Sequence, residues 1–214
     1  IRIWVPGCAT GEEVYSLAIA VSETLSEKGI YTSAQLFGTD VSEEAIETAR
    51  RGYYIPAQIE GISEARRRKF FTEVEGSYQV KKHLREMCIF ACQDFTQDPP
   101  FSRMDLVSCR NVLIYFGTNL QKKVFPLFHY ALKPNGFLIL GASENIGVAK
   151  HLFRALDKKN HIYVKKGIRQ RIPNEFWPIR ESMPVKDKGQ PQPSIPKRRE
   201  AETRKLHQEA DSLL

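Results

Sequence analysis

Residues 5–16 read VPGCATGEEVYS. Gly7 and Gly11 bracket a tight turn at the end of the apolar strand 1–5 (IRIWV), and the turn runs into a helix. From Glu12 onward the apolar positions Val14, Leu17, Ala18, Val21 and Leu25 recur at helical spacing, and Gly29 closes the run. Strand, glycine turn and helix together make a nucleotide site in many chains, with the helix amino terminus facing phosphate. Here Glu12 and Glu13 occupy that first turn, where they would repel a pyrophosphate. The spacing is G-x-x-x-G, not G-x-G-x-x-G, and no lysine follows as in a P-loop. Two glutamates at a helix start also stabilise the helix dipole, by ~0.3–1 kcal/mol each, so by themselves they require no ligand.

Working outward, the pattern repeats. Segment 34–38 (AQLFG) reads as a second strand ending at Thr39-Asp40, and Ser42 caps a helix with Glu43 and Glu44 in its first turn and Arg50, Arg51 and Gly52 at its end. Residues 53–61 are irregular, 63–71 form a short basic helix, and 78–85 a small strand pair or hairpin arm. Strands follow at 87–92 (MCIFAC), 104–109 (MDLVSC) and 137–140 (FLIL). A helix spans 120–132, with Lys133-Pro134-Asn135-Gly136 as its stop, and 153–156 and 161–165 read as a terminal antiparallel pair. Alternating strands and helices predict an α/β fold, a parallel sheet with helices on both faces. About ten residues separate the third and fourth strands, close to the minimum for a parallel crossover, so an extended link is expected there.

In such sheets ligands bind beyond the carboxyl ends of the strands. The polar residues Gly7 to Glu13, Asp40, Asp94, Arg110 and Asn111 all fall at such ends. S-adenosylmethionine resolves the conflict at the glycine turn. It has no phosphate and carries an amino acid end and a sulfonium cation. A glycine turn can approach it closely, Glu13 can take its ammonium group, and Asp40 is placed to accept two hydrogen bonds from a ribose diol. Asp94 or Phe95 lines the adenine, and Arg110-Asn111 closes the pocket. Asp40 also has an alternative role in capping the helix that follows, although Ser42 serves better.

The formal net charge of +7 and pI near 9.2 fit nucleic acid, an anionic membrane face or an acidic protein, and equally a mildly basic soluble protein. The four cysteines form no C-x-x-C pair, and three lie in strand-like runs; they read as reduced core thiols of a cytoplasmic protein. No apolar run approaches the ~20 residues of a membrane span and no signal peptide is visible, so membrane insertion is not expected. The opening on Ile1, already inside a strand, reads as the start of a fragment. The domain is expected at 1–167, with an insertion at about 53–86. Half of the prolines fall between Pro173 and Pro196, giving an expected linker over 168–197 before a connecting helix at 198–214.

The segments WVPGCATGEEVYS, FGTDVSEEAIETARRGYY, CRNVLIYF and LKPNGFLILGASE, in this order, resemble the CheR-type chemotaxis receptor methyltransferases over roughly residues 1–166. The resemblance implies a Rossmann-like class I methyltransferase fold, with a mostly parallel seven-stranded sheet. It also implies S-adenosylmethionine as methyl donor and glutamate side chains of methyl-accepting chemoreceptors, on acidic helices, as acceptors. It implies Glu13 at the amino acid end, Asp40 at the ribose, Asp94-Phe95 beside the adenine, Arg110-Asn111 near the ligand and Tyr115 at the sulfonium end. A half-buried aromatic after a strand is the competing account of Tyr115. The wording is closest to versions fused with a CheB-type methylesterase and a PAS domain. The family's N-terminal domain, with its N-x-T-x-F-F-R-type segment and an arginine implied in catalysis, is not among these residues, so this chain alone is expected to be inactive. The short 73–78 loop (EVEGSY) argues against docking on a receptor's terminal pentapeptide.

An acceptor carboxylate, with the ordinary glutamate pKa of about 4.3, is already ionised at neutral pH and needs no general base. None is evident: the five histidines show no ligand spacing. The run Arg66-Arg67-Arg68-Lys69 fits either steering of an acidic partner or a solvated helix face. Two alternatives remain. Asp98-Pro99-Pro100-Phe101 resembles the D-P-P-[YF] motif of nucleic-acid amino-methyltransferases, but it precedes the fourth strand where theirs follows it. A non-catalytic S-adenosylmethionine-binding sensor module is the other.

Overall fold

The structure, a computed structural model, describes residues 1–167. The expected linker at 168–197 and helix at 198–214 lie outside the described residues. In chain order the elements are β1 (Arg2–Pro6), α1 (Glu12–Glu27), β2 (Gln35–Asp40), α2 (Glu43–Arg51), β3 (Tyr53–Tyr54), α3 (Glu64–Phe70), β4 (Phe71–Val74) and β5 (Ser77–Val80). They continue as α4 (Lys82–Arg85), β6 (Cys88–Cys92), β7 (Met104–Cys109), α5 (Thr118–Ala131), β8 (Leu132–Leu140), β9 (Phe153–Asp157) and β10 (Ile162–Lys165).

The main sheet has seven strands in the order β6-β2-β1-β7-β8-β10-β9. The first five pair in parallel, and β10 runs antiparallel between β8 and β9. This is the expected mostly parallel, Rossmann-like arrangement. Strand alternation divides the core. Ile3 and Val5 of β1, with Leu36 of β2, pack toward α1 and α2, while Trp4 and Phe37 turn toward α5. Trp4 is fully buried; its indole N–H donates to Thr39 Oγ1 at 3.0 Å, and its ring meets Phe95, Phe101 and Phe128 edge-on. That hydrogen bond removes the cost of an unpaired buried donor. The link from β6 to β7 spans two intervening strands and carries no helix, in keeping with its length.

Local signals explain the helix ends. Ser42 Oγ accepts from the Ala45 N–H, and Gly52, at φ 63°, closes α2 in the left-handed conformation. Two expectations need correction. The hairpin is β4–β5 at 71–80, not 78–85: Glu75 (φ 50°) and Gly76 (φ 76°) form its two-residue turn, and 82–85 is the helical turn α4. With β3 these strands make a separate three-stranded antiparallel sheet. The Lys133-to-Gly136 segment does not lie between helix and strand. α5 gives way to β8 at Leu132, which pairs with Met104; pairing resumes with Phe137 opposite Leu106, so the four residues between loop out of the ladder.

Candidate functional site

The glycine turn is held by backbone bonds: Cys8 N–H donates to Thr39 O at 3.0 Å and Gly11 N–H to Cys8 O at 2.9 Å. Gly7 has φ 69°, and a Cβ there would stand 2.5 Å from Val112 Cγ2. Gly11 has φ 92°, and its Cβ would stand 2.8 Å from Ala49 Cβ. The two glycines therefore serve packing: Gly7 admits the turn after β7, and Gly11 admits α2. Gly7 also lines a cleft, whereas Gly11 is buried and its N–H is already used.

The two glutamates of the first helical turn part company. Glu12 accepts from Thr10 Oγ1 and from Gln58 Nε2 at 3.1 Å, so it is engaged by the turn and the insertion. Glu13 faces inward. Ser108 Oγ, at the end of β7, donates to Glu13 Oε1 at 2.5 Å. Burial raises the Glu13 pKa above its ordinary value, opposed by the Ser108 hydrogen bond and the nearby Arg110 charge. Its Oε2 has no hydrogen bond among the described residues.

Two clefts open at the carboxyl ends of the parallel strands. The first, of about 540 Å³, is lined by Gly7, Asp40, Asp94, Phe95, Asn111 and Tyr115 among others. The second, of about 370 Å³, contains Glu13, Ser108 and Arg110. Arg110 thus belongs to one cleft and its neighbour Asn111 to the other. Eight of the nine residues expected at the site line one cleft or the other, Gly11 being the exception.

Asp40 is doubly engaged: Oδ2 accepts from Ala9 N–H at 2.8 Å and Oδ1 from Ser42 N–H at 3.0 Å. It therefore ties the glycine turn to the start of α2, and it also lines the larger cleft. Asp94 is used within its own loop, accepting from Thr96 N–H and Oγ1 and from Gln97 Nε2. Partial burial works to raise its pKa, but these hydrogen bonds outweigh it and hold the carboxyl below its usual range. Phe95 is 6% exposed and packs against Trp4, Phe116 and Phe128, so little of its ring is open to the cleft it lines. Tyr115 is 80% exposed at the rim.

One residue of the site escaped the sequence reading. Glu144, 4% exposed, accepts hydrogen bonds from four backbone N–H groups: Leu113 at 2.7 Å and Ile114 at 3.3 Å on Oε1, Gly141 at 2.7 Å and Asn111 at 3.1 Å on Oε2. These bonds hold the turn that carries Asn111, at φ 58°, and Tyr115. A carboxylate ringed by N–H donors is charge-assisted and strong. The only sequence signal was its place in the GASE segment after β8.

Other signals resolve in place. Arg66 pairs with Glu23 at 2.7 Å, and Arg68 pairs with Glu64. Half of the basic run thus has acidic partners on its own surface. Phe101 of the D-P-P-F segment packs on Trp4 and Phe37 in the core. The slot after β7 is filled by Arg110-Asn111. The D-P-P-F segment therefore serves packing, and the nucleic-acid alternative is not favoured. The four cysteines are free thiols, but only Cys8 and Cys109 are the buried core thiols expected: Cys88 is half-buried and Cys92, at the end of the edge strand β6, is exposed. No described helix is long and apolar enough to cross a membrane.

The residues present fit S-adenosylmethionine: carboxylates at the end of β2 and the start of α1, and an aromatic ring in the larger cleft, whose lining residues include no lysine or arginine to meet a phosphate. The sheet is Rossmann-like. The chain belongs to the CheR methyltransferase family: residues 1–162 match the family described as "CheR methyltransferase, SAM binding domain". It is 36% identical over 163 residues to an uncharacterized 104.1 kDa protein of Rhodobacter capsulatus, covering 76% of this chain and 17% of that protein. It is 34% identical to the putative methyltransferase Cher3 of Pseudomonas putida (77% of this chain, 63% of that one). To the chemotaxis protein methyltransferase of Vibrio parahaemolyticus it is 35% identical (68% and 54%). The chain thus spans less than two thirds of each of these relatives.

Proposed function

We propose that this chain is the cofactor-binding catalytic domain of a protein-glutamate O-methyltransferase that acts on chemoreceptors. The observation that carries the reading is Glu13. A half-buried carboxylate, steadied by Ser108 and aimed into a cleft beside the glycine turn, suits an ammonium and disfavours a phosphate. Asp40 would hold the ribose, Phe95 and Asp94 would border the adenine, and Asn111 and Tyr115 would flank the reacting end. When bound, S-adenosylmethionine supplies an electrophilic methyl group on a positively charged sulfur. The chain's own task is orientation and exclusion of water around an acceptor carboxylate that is already ionised.

The family membership and the chemotaxis methyltransferase relatives support a chemoreceptor glutamate as acceptor. We propose further that the domain works within a longer polypeptide carrying CheB-type and PAS domains; the wording of the motifs supports those domains, and the 104.1 kDa relative, of which the matched region is 17%, supports only the greater length. The test is transfer of radiolabelled methyl from S-adenosylmethionine to receptor preparations by the full-length protein. A base-labile methyl ester on the receptor is expected. Label on nucleic acid, or a base-stable label, would overturn the reading.

A further inference from the structure

The turn after β7 stands between two spaces. Asn111, Val112, Tyr115 and Phe116 line the larger cleft. Leu113 and Ile114, between them in the chain, border a separate cavity of about 80 Å³, whose other walls are Gln121, Ser143, Glu144 and Asn145. Among the described residues none lines both spaces. Gln121 and Glu144 therefore meet the turn from a space apart from the cleft.

Those two side chains grip the turn in complementary ways. Glu144 takes its N–H groups, at Asn111, Leu113 and Ile114. Gln121, in the first turn of α5, takes its carbonyls: Nε2 donates to Leu113 O at 3.1 Å and to Phe116 O at 3.0 Å. A side-chain amide carries two N–H bonds, and both are used here. The turn also closes on itself, through Tyr115 N–H to Val112 O at 3.1 Å and Phe116 N–H to Leu113 O at 3.0 Å. The two grips act on different parts. Glu144 reaches the Asn111 end, whereas the two bonds from Gln121 bracket Tyr115. The Tyr115 side chain is 80% exposed and has no hydrogen bond or ring contact among the described residues. Packing does not aim it, so its direction depends on its backbone.

We infer that Gln121 is a positioning residue for methyl transfer: by tying the carbonyls of Leu113 and Phe116 to α5, it fixes the backbone that aims Tyr115, without itself lining the larger cleft. The inference rests on the reading that Tyr115 flanks the reacting end, and extends it to a residue of α5 that no motif pointed to. Loss of Gln121 should loosen the Tyr115 end of the turn and leave the Asn111 end seated by Glu144.

The test uses the full-length protein, with methyl transfer to receptor preparations for rate and calorimetry with S-adenosylhomocysteine for cofactor affinity. Gln121→Met keeps the length of the side chain and removes both donors. It should lower kcat by on the order of tenfold, as slight misplacement of a group at the reacting end does. Acceptor KM and S-adenosylhomocysteine affinity should stay within about threefold of the parent, and that affinity also shows the variant to be folded. Tyr115→Ala should slow transfer as well, and adding Gln121→Met to it should slow transfer no further, because residues that act as a unit are not additive. An unchanged kcat in Gln121→Met would overturn the inference. So would a loss of S-adenosylhomocysteine affinity as large as the loss in kcat, or a Gln121→Met effect that persists in full beside Tyr115→Ala. Each of these leaves the proposed function standing. A Tyr115→Ala protein as fast as the parent would overturn the inference together with the place given to Tyr115, and a parent that methylates no receptor would overturn it together with the proposed function.

Discussion

Ser108 Oγ donates to Glu13 Oε1 across 2.5 Å, joining the end of β7 to the first turn of α1. Burial pushes the Glu13 pKa above its ordinary value of 4.5, and the Ser108 bond acts in the opposite direction. An ammonium ligand needs the ionised form. Affinity for S-adenosylhomocysteine should therefore fall as pH drops through a window lying above 4.5, and Ser108→Ala should move that window to higher pH. Glu13→Gln should weaken binding by about tenfold near neutral pH and abolish the dependence in this window. Dissociation constants measured from about pH 5 to pH 8 decide the matter; a Ser108→Ala profile displaced to lower pH would refute the assignment.

Glu144 bears on the same face from below. Glu144→Gln keeps the shape but presents an NH₂ to one pair of N–H donors, either Leu113 and Ile114 or Asn111 and Gly141. A stability loss of about 2–3 kcal/mol is expected in denaturant titration, because buried donors are left facing a donor. S-adenosylhomocysteine affinity should fall as well, since Asn111 loses its seat. A variant as stable as the parent would show that the four bonds contribute little.

The glycines offer a controlled comparison. Gly29 has φ 60° with open space where a Cβ would stand, so Gly29→Ala meets only the left-handed backbone penalty, about 1–2 kcal/mol. Gly11→Ala meets that penalty and also Ala49 Cβ at 2.8 Å. The neighbour belongs to the buried face of α2, so α1 and α2 must part. Gly11→Ala should be the more destabilising, and it alone should weaken ligand binding. Equal losses in both properties would contradict the packing role given to Gly11.

These sites also show where the sequence was readable. Ser42, Gly52 and the alternating apolar runs carry their structural meaning locally, in side-chain chemistry and period, and the helices and strands follow from them. Asp40 was legible as a strand-end carboxylate, but not its bond to Ala9 N–H, which depends on how the glycine turn folds back 31 residues away. The choice between Glu12 and Glu13 likewise turns on partners distant in sequence, Gln58 and Ser108. Glu144 left no trace beyond its place in the GASE segment, because a carboxylate that satisfies N–H groups some 30 residues upstream looks like any surface glutamate. The hairpin was misplaced since Glu75-Gly76 lacks the Asn-Gly or Asp-Gly signature of its turn type.

The thiols give a prediction that needs no ligand. Cys8 lies in the glycine turn beside the site, yet it is 4% exposed. Burial, reinforced by the negative charge of Asp40, pushes its pKa up to about 12. Burial alone pushes Cys88 up to about 12, and Cys109, fully enclosed, lies well above its ordinary value. Reaction with disulfide or alkylating reagents proceeds through the thiolate and requires access, so these three should stay silent near pH 8. Cys92 is exposed, its Sγ only weakly engaged with Val41 O at 3.4 Å. Of the four cysteines, one should therefore react rapidly in the folded chain and the other three only on unfolding. Cys92→Ser should abolish the fast phase, and the reagent should leave S-adenosylhomocysteine binding intact, because the thiol nearest the glycine turn stays protonated and covered. A fast phase surviving in Cys92→Ser, accompanied by loss of ligand binding, would mean that the turn opens far enough to expose Cys8, and that the backbone bonds from Cys8 and Gly11 do not hold it closed.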